Sequence, residues 1–538
     1  MPRSDPPLTV PALLAARARL DPERPAVLLA DRQLTFADWQ SQAERLASGL
    51  LDRGLRPGER VALRYGEDWI GYAVAFAAVL AAGAVAVPLP AALPDRQAAE
   101  TLRRIAVTAV LHEPAAPPPP GPWWTAVDLP AGTAALPPVR PGDLAQIVCT
   151  SGSTGTPKDV AASHGNLCHG QRAEPRTRRY AHSRTMLHAF PIGTNAAQMM
   201  LVEALTAHPA LLCAGRFEAD RFVGLIERHQ VGTVFLVPAT AAELLRSEAR
   251  HRHDLSAVQL VSSSAAALPP TVARGLAELF PKAVLVNYYT STEAVPAQIS
   301  MIVNPARPDS LGRPADPRDL RIADPEGRPL PVGELGEVWL RSDAPPRHYA
   351  GDRAGTTAVF RDGWVRMGDL GRLDAEGYLC LVDRESDVIK SGALKVSTLR
   401  IEAALLEHPA VAEAAAVGIA HPVMGAVPAA VLRPAGPLDL DELRDFLAQR
   451  LTLAERPVRL LVVAALPRTA TGKPVKPEIR RLLAPPAPTA APTAAPTPAA
   501  APVPDAPVAV RDPFGSPFLT GPSTDPHDPH DLHDPEDS

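Results

Sequence analysis

Apolar positions in the first 320 residues alternate between two textures. Ala/Leu/Arg stretches repeat with a helical period, and between them stand short runs dense in Val, Ile and Leu. Over residues 11–140 the short runs include Arg60 to Arg64 and Ala84 to Pro88. The rhythm resumes with Leu144 to Cys149, Thr233 to Val237, Val258 to Ser262 and Ala283 to Val286. Helical patterns over 219–229, 239–250 and 270–280 separate them. Continuous apolar strands joined by helices predict buried parallel sheets. The run from Pro114 to Pro122 fits neither helix nor central strand and reads as a surface connection.

Two segments qualify this picture. Trp69 to Val87 is uncharged over nineteen residues, near membrane-spanning length, but Gly83 divides it into an Ala-rich helix over about 69–82 and a strand over 84–87. From Leu320 the texture changes to Gly/Pro/Asp punctuation around Leu320 to Ala323, Gly336 to Arg341, Gly363 to Arg366 and Gly377 to Val382, which predicts antiparallel strands. After Asp387 a compact segment follows, with helices near 398–407 and 439–451 and strands near 411–419 and 427–433, ending near Leu483. Residues 484–538 are Pro/Ala/Thr repeats and an acidic, His-containing stretch, expected to be disordered because they carry too little apolar surface to offset ordering entropy. His527, His530 and His533 there read as part of a solvated acidic tail before a weak metal site.

Composition narrows the function. With 538 residues and 46% hydrophobic, the chain is long enough for more than one domain. A net charge of -5 and scattered basic residues argue against nucleic acid and for small-molecule partners. Cys149, Cys168, Cys213 and Cys380 form no C-x-x-C pair, and the N-terminus is broken by prolines and arginines; a reducing cytoplasm is expected, with no membrane partner. Only Lys158, Lys282, Lys390, Lys395, Lys473 and Lys476 are lysines among 54 basic residues. Lys158 and Lys473 stand beside glycines, where a compact ammonium is wanted and a planar guanidinium does not serve.

The chemistry concentrates in Thr150-Ser-Gly-Ser-Thr-Gly-Thr-Pro-Lys158. Gly152 and Gly155 permit close backbone approach to an anion, Thr150, Ser151, Ser153 and Thr154 offer hydroxyls, and Lys158 adds a point charge. The spacing excludes a Walker A loop, since Lys158 follows Pro157 and precedes Asp159.

Four further stretches complete a set: Tyr289-Thr-Ser-Thr-Glu293, Gly363-Trp-Val-Arg-Met-Gly-Asp369, Val382-Asp-Arg-Glu-Ser-Asp-Val-Ile-Lys390 and Pro467-Arg-Thr-Ala-Thr-Gly-Lys473. In order and spacing the five resemble the adenylate-forming enzymes: acyl-CoA and aryl-CoA ligases, luciferases and stand-alone adenylation domains. The resemblance spans roughly residues 20–480. It implies an α/β fold with a large N-terminal domain, 1–385, of parallel sheets plus a small antiparallel part. A small mobile C-terminal α+β domain, 386–483, would follow, and then the tail.

The family activates a carboxylic acid with ATP and Mg²⁺, releasing pyrophosphate and leaving an acyl adenylate. By resemblance the loop from Thr150 to Lys158 holds the β- and γ-phosphates, while Thr292 and Glu293 meet the α-phosphate and Mg²⁺. Tyr289, Asp369 and Arg384 bind the nucleotide, with Asp369 on the ribose hydroxyls. Lys473 bridges the acid carboxylate and α-phosphate, and Ser386 occupies the pivot about which the small domain turns.

Departures bear on partners. Asp159 replaces a usual Gly, and either weakens ATP binding or pairs with Lys158 or an arginine; Thr290 also replaces a Gly. Ser386, Ala393, Thr398 and Arg400 alter the transfer side, so CoA is the expected acceptor with a carrier protein in trans, or an amine, as alternatives. Thr194 and Asn195 stand where amino-acid-activating domains place an aspartate, which disfavours an α-amino acid. Asn195 either binds a hydroxyl of an aryl acid or is structural; Ser264 and Ala265, with small neighbours, leave room for a ring or chain. A rival reading is a pseudoenzyme that binds nucleotide or acyl ligand and acts through its proline-rich tail.

Overall fold

The uncharged stretch folds into the expected helix and strand, Trp69–Ala81 and Val85–Pro90. Gly83, at φ +71°, ends the helix in the left-handed region that glycine occupies without a Cβ penalty, and Ala84 donates back to the Val79 carbonyl. The helix is apolar all round because protein surrounds it: its side chains belong to a core shared with Val27 and Leu211 of one sheet and Val61 and Leu63 of another. No described helix is long and apolar enough to cross a membrane. A computed structural model describes residues 8–484 except 128, 151–156, 173, 175, 176, 393 and 470–472.

Two mostly parallel sheets flank this core. One has eight strands in the order Ile299–Ile302, Val284–Tyr289, Leu260–Ser263, Thr233–Leu236, Thr185–His188, Ala210–Cys213, Pro25–Leu29 and Arg32–Thr35. Only its two outermost pairings are antiparallel. The other has seven, in the order His348–Tyr349, Lys158–Ser163, Leu144–Thr150, Val85–Pro90, Arg60–Tyr65, Ala109–His112 and Trp124–Ala126. Here Leu144–Thr150 and Lys158–Ser163 pair as an antiparallel hairpin.

The punctuated region forms the expected antiparallel sheet: Ser310–Gly312, Leu379–Arg384, Trp364–Leu373, Gly336–Arg341 and Leu320–Ala323, with Phe360–Arg361 alongside. One boundary differs from the sequence reading. The strand expected to end at Arg366 runs to Leu373, because its alternating burial continues through Met367, Asp369 and Gly371. Asp369 therefore lies within a strand and opposite Arg384.

Contacts hold residues through Ala484 together, and within them the segment after Arg384 builds its own sheet around the hairpin of Val411–His421 and Gly425–Pro434. Period-two alternation sends Ala416, Ala430 and Leu432 to one apolar cluster and Ala415, Val417, Ala429 and Val431 to another. Helices Thr398–Leu406 and Leu440–Ala448 cover the first face and Lys476–Leu483 the second.

Burial of histidine gives this fold a pH dependence. His188 has no exposed surface, its Nδ1 accepts the Phe190 N–H at 3.0 Å, and burial lowers its pKa from 6.5 to about 3. The unfolded chain binds that proton below pH 6.5 and the folded chain does not, so the ring's contribution is intact above pH 6.5 and is lost as pH falls toward 3. The expected slope is about 1.4 kcal/mol per pH unit within that window. Denaturant midpoints measured from pH 7 to 4 should fall less steeply in His188→Gln; an unchanged slope would exclude this ring as the cause.

Candidate active site

Strand alternation decides what Lys158 and Asp159 face. Lys158 Nζ donates to the Tyr349 hydroxyl at 3.3 Å and lies 4.7 Å from that ring's centroid. Asp159 points the other way, is 7% exposed, and accepts two bonds from Arg104, at 2.8 and 2.7 Å. Of the two readings left open for Asp159, the structure selects pairing with an arginine. Thr150 Oγ1 donates to the Lys158 carbonyl at 3.3 Å and closes the hairpin base. Ser151, Gly152, Ser153, Thr154 and Gly155 lie outside the described residues.

Tyr349 extends the cluster, donating its hydroxyl to Glu293 Oε1 at 2.9 Å. Burial first, and the Glu293 carboxylate second, push the Tyr349 pKa up, so the phenol stays a donor. Thr290, in the position of the usual glycine, donates to the Ala297 carbonyl at 2.7 Å and pins the turn. Thr292 contributes its carbonyl oxygen to Arg347 Nη1 at 2.8 Å.

Asp369 is 5% exposed and engaged on both oxygens, by the Tyr289 hydroxyl at 2.6 Å and by Arg384 Nε at 3.3 Å. Burial raises its pKa, while Arg384 and the Tyr289 bond oppose the rise. The three residues meet from two sheets: Tyr289 ends a strand of the eight-stranded sheet, and Asp369 and Arg384 face each other across the antiparallel one.

Lys473 arrives from the last segment. Its N–H donates to Thr469 Oγ1 at 3.1 Å and its carbonyl accepts the Thr469 N–H at 2.8 Å, a tight turn. Lys473 is an exposed residue whose ammonium lies near Arg384, Glu293 and Asp369. Partial desolvation, then Arg384, lower its pKa, and Glu293 and Asp369 pull it back. Lys473 thus shares one electrostatic neighbourhood with members of the other stretches. Ser386 is exposed on a turn where the Asp387 and Val388 N–H groups donate to the Arg384 carbonyl at 3.0 and 3.1 Å. Beside it Asp383 is buried and accepts from the Thr398 hydroxyl at 3.2 Å, which gives the unusual Thr398 a structural use.

Residues 14–350 match the AMP-binding enzyme family, and residues 400–473 match the AMP-binding enzyme C-terminal domain. The chain belongs to the AMP-binding enzyme family. It is a member of the adenylate-forming superfamily, as its five stretches imply. It is 32% identical over 498 residues to the feruloyl-CoA synthase of Amycolatopsis sp, covering 86% of this chain and 97% of that one. The anthranilate CoA ligase AuaEII, solved with anthranoyl-AMP, has the same fold, with a TM-score of 0.79, 21% identity and coverage of 89% and 98%. The amide bond synthetase McbA of Marinactinospora thermotolerans has a TM-score of 0.74 at 27% identity, covering 88% of this chain and 99% of that one.

In this AMP-binding enzyme the loops expected to meet the acid leave the C-terminal ends of two parallel strands that flank Thr233–Leu236. Thr194 and Asn195 follow Thr185–His188, and Ser264 and Ala265 follow Leu260–Ser263. Ligands of open α/β sheets bind on that side. Thr194 caps the helix Asn195–Ala204, accepting the Ala197 N–H at 3.2 Å and donating to the Pro191 carbonyl at 2.8 Å. Asn195 Oδ1 accepts from Arg347 Nη1 at 2.8 Å. Ala265 takes the left-handed conformation, φ +73°, and Ser264 keeps its N–H 3.3 Å from the Leu236 carbonyl.

Among the described residues no group of three or more His, Cys, Asp or Glu gathers to hold a metal ion. That fits Mg²⁺, which takes one or two carboxylates together with substrate phosphates rather than an all-protein cage. Glu293 stands on the Lys158 side of the cluster, joined to it through the Tyr349 hydroxyl. Arg104, Tyr349 and Arg347 escaped sequence reasoning. The signal nearest to them was Arg347-His-Tyr349 after a pair of prolines, which belongs to no stretch of the set.

Proposed function

We propose that the protein activates an aromatic carboxylic acid without a free α-amine and passes it to the CoA thiol. The carboxylate oxygen attacks the α-phosphorus of ATP, the bond to the β-phosphate oxygen breaks, and pyrophosphate leaves. The thiol sulfur then attacks the acyl carbon, AMP leaves, and the thiol proton passes to solvent. The observation that carries this reading is the shared neighbourhood of Glu293, Asp369, Arg384 and Lys473, with Lys158 joined to Glu293 through Tyr349. The likeness to the feruloyl-CoA synthase of Amycolatopsis sp supports an aryl acid and CoA.

In this reading Lys158 and the loop 150–155 hold the β- and γ-phosphates, and Thr292 meets the α-phosphate. Asp369 accepts the ribose hydroxyls with Arg384 beside it and Tyr289 orienting its carboxylate. Glu293 would hold Mg²⁺, which when bound offsets the repulsion between phosphates. Lys473 bridges the two reacting anions. Asn195, Thr194, Ser264 and Ala265 border the acid, Thr194 through its helix cap. Residues 386–483 form a domain that turns about Ser386 between the two half-reactions.

An amine acceptor is the second reading, favoured by the likeness to McbA and by Thr398 and Arg400 on the transfer side. Mass spectrometry of products from hydroxycinnamic, benzoic and aliphatic acids with ATP, Mg²⁺ and either CoA or amines distinguishes the two. The expected result is acid-dependent pyrophosphate exchange and an aryl-CoA thioester. Absence of exchange across the panel would remove the ligase reading.

A further inference from the structure

We propose that Arg347 is a positioning residue for adenylation, locking the acid-side segment to the phosphate-side segment through Asn195 and the Thr292 carbonyl. Arg347 is 2% exposed. Nε donates to Asn166 Oδ1, and Nη1 donates to both Asn195 Oδ1 and the Thr292 carbonyl, each at 2.8 Å. Asn166 is itself fixed, donating to the Val295 and Pro345 carbonyls at 3.1 and 2.8 Å. One planar fork therefore ties together four chain segments that are far apart in sequence.

The electrostatics say why a purely structural role is a poor account. All three acceptors are neutral, and Nη2 has no protein partner among the described residues. Burial lowers the pKa to about 10 and the Glu293 charge raises it, so the group is a cation at neutral pH. A buried cation without a paired carboxylate is costly where an apolar side chain of similar volume would pack. What the fork supplies is geometry. Asn195 opens the helix that follows the acid-side turn, and Thr292 precedes the carboxylate that faces Lys158 through Tyr349. Adenylation needs the acid oxygen in line with the α-phosphorus, and loops free to slide by about 1 Å lose rate on the order of a hundredfold.

The inference rests on the proposed adenylation, so wild-type exchange activity is measured first and in the same assay. Arg347→Met, Arg347→Lys and Asn195→Ala are prepared in the full chain, with activity expressed per folded molecule from thermal unfolding. In Arg347→Met the exchange kcat is expected to fall by about tenfold to a hundredfold. KM for ATP should stay within about twofold, since Asp369 and Arg384 are untouched. Lysine is not expected to restore the rate, because it has no fork. Adding Asn195→Ala to Arg347→Met should cost little more, the two acting as one unit. Unchanged kcat per folded molecule in Arg347→Met, or full recovery with lysine, overturns the proposal. If Arg347→Met does not fold, Asn195→Ala alone decides, and an unchanged kcat there overturns it. An inactive wild type instead refutes the proposed function.

Discussion

Replacing Lys473 by alanine is expected to slow acid-dependent pyrophosphate exchange by about two to three orders of magnitude, while transfer from a supplied acyl adenylate survives. The charge it brings comes on the segment proposed to turn between the two half-reactions. Tyr289 and Asp369 stand on sheets and Glu293 on the turn after Tyr289, whereas Lys473 comes on a turn of the last segment, held by Thr469. Its pKa is lowered by desolvation and by Arg384, so the ammonium is lost at lower pH than an ordinary lysine's 10.5. Exchange should therefore decline on the alkaline side as pH rises through that lowered value. Arginine at this position is not expected to rescue, since two anions converging on one point call for a compact charge. Equal loss of both half-reactions in Lys473→Ala would contradict a two-position mechanism.

Arg104→Ala is expected to destabilise the protein by about 3 kcal/mol, more than Asp159→Gly does, and neither should shift KM for ATP by more than about twofold. The asymmetry follows from exposure. The Arg104 side chain is 36% exposed and can turn to water when its partner is gone; the Asp159 side chain is 8% exposed and cannot. Losing the arginine strands a buried carboxylate, which is the costlier defect. Cys149, across the hairpin from Asp159, is already held as a neutral thiol by burial and by that carboxylate. Denaturant titration of both variants, with ATP titrations of exchange, tests this. A marked gain in ATP affinity in Asp159→Gly would show that the carboxylate does repel the triphosphate.

The fold was legible where composition and period agree. The buried helix before Gly83, the alternating parallel strands, the later antiparallel sheet and the C-terminal hairpin follow from local propensity and from which faces must be covered. The family was legible as well, because the five stretches that hold Lys158, Glu293, Asp369 and Lys473 stand in its order and spacing.

What escaped was whatever depends on pairing at long range. A strand begins at Lys158, so successive side chains point to opposite faces; Asp159 therefore meets Arg104, 55 residues away in sequence, while Lys158 meets Tyr349. Asp369 stood beyond the strand expected to end at Arg366, and only the strand register set it against Arg384. Arg347 carried no motif, and only its enclosure by Asn166, Asn195 and Thr292 gives it meaning. By itself, then, the sequence determined the kind of layers, the family and the chemical groups, because these depend on local period and on residue type. The tertiary structure alone decided which groups neutralise, orient or bury one another, because strand register and the closure of distant segments are written in no single window of the chain.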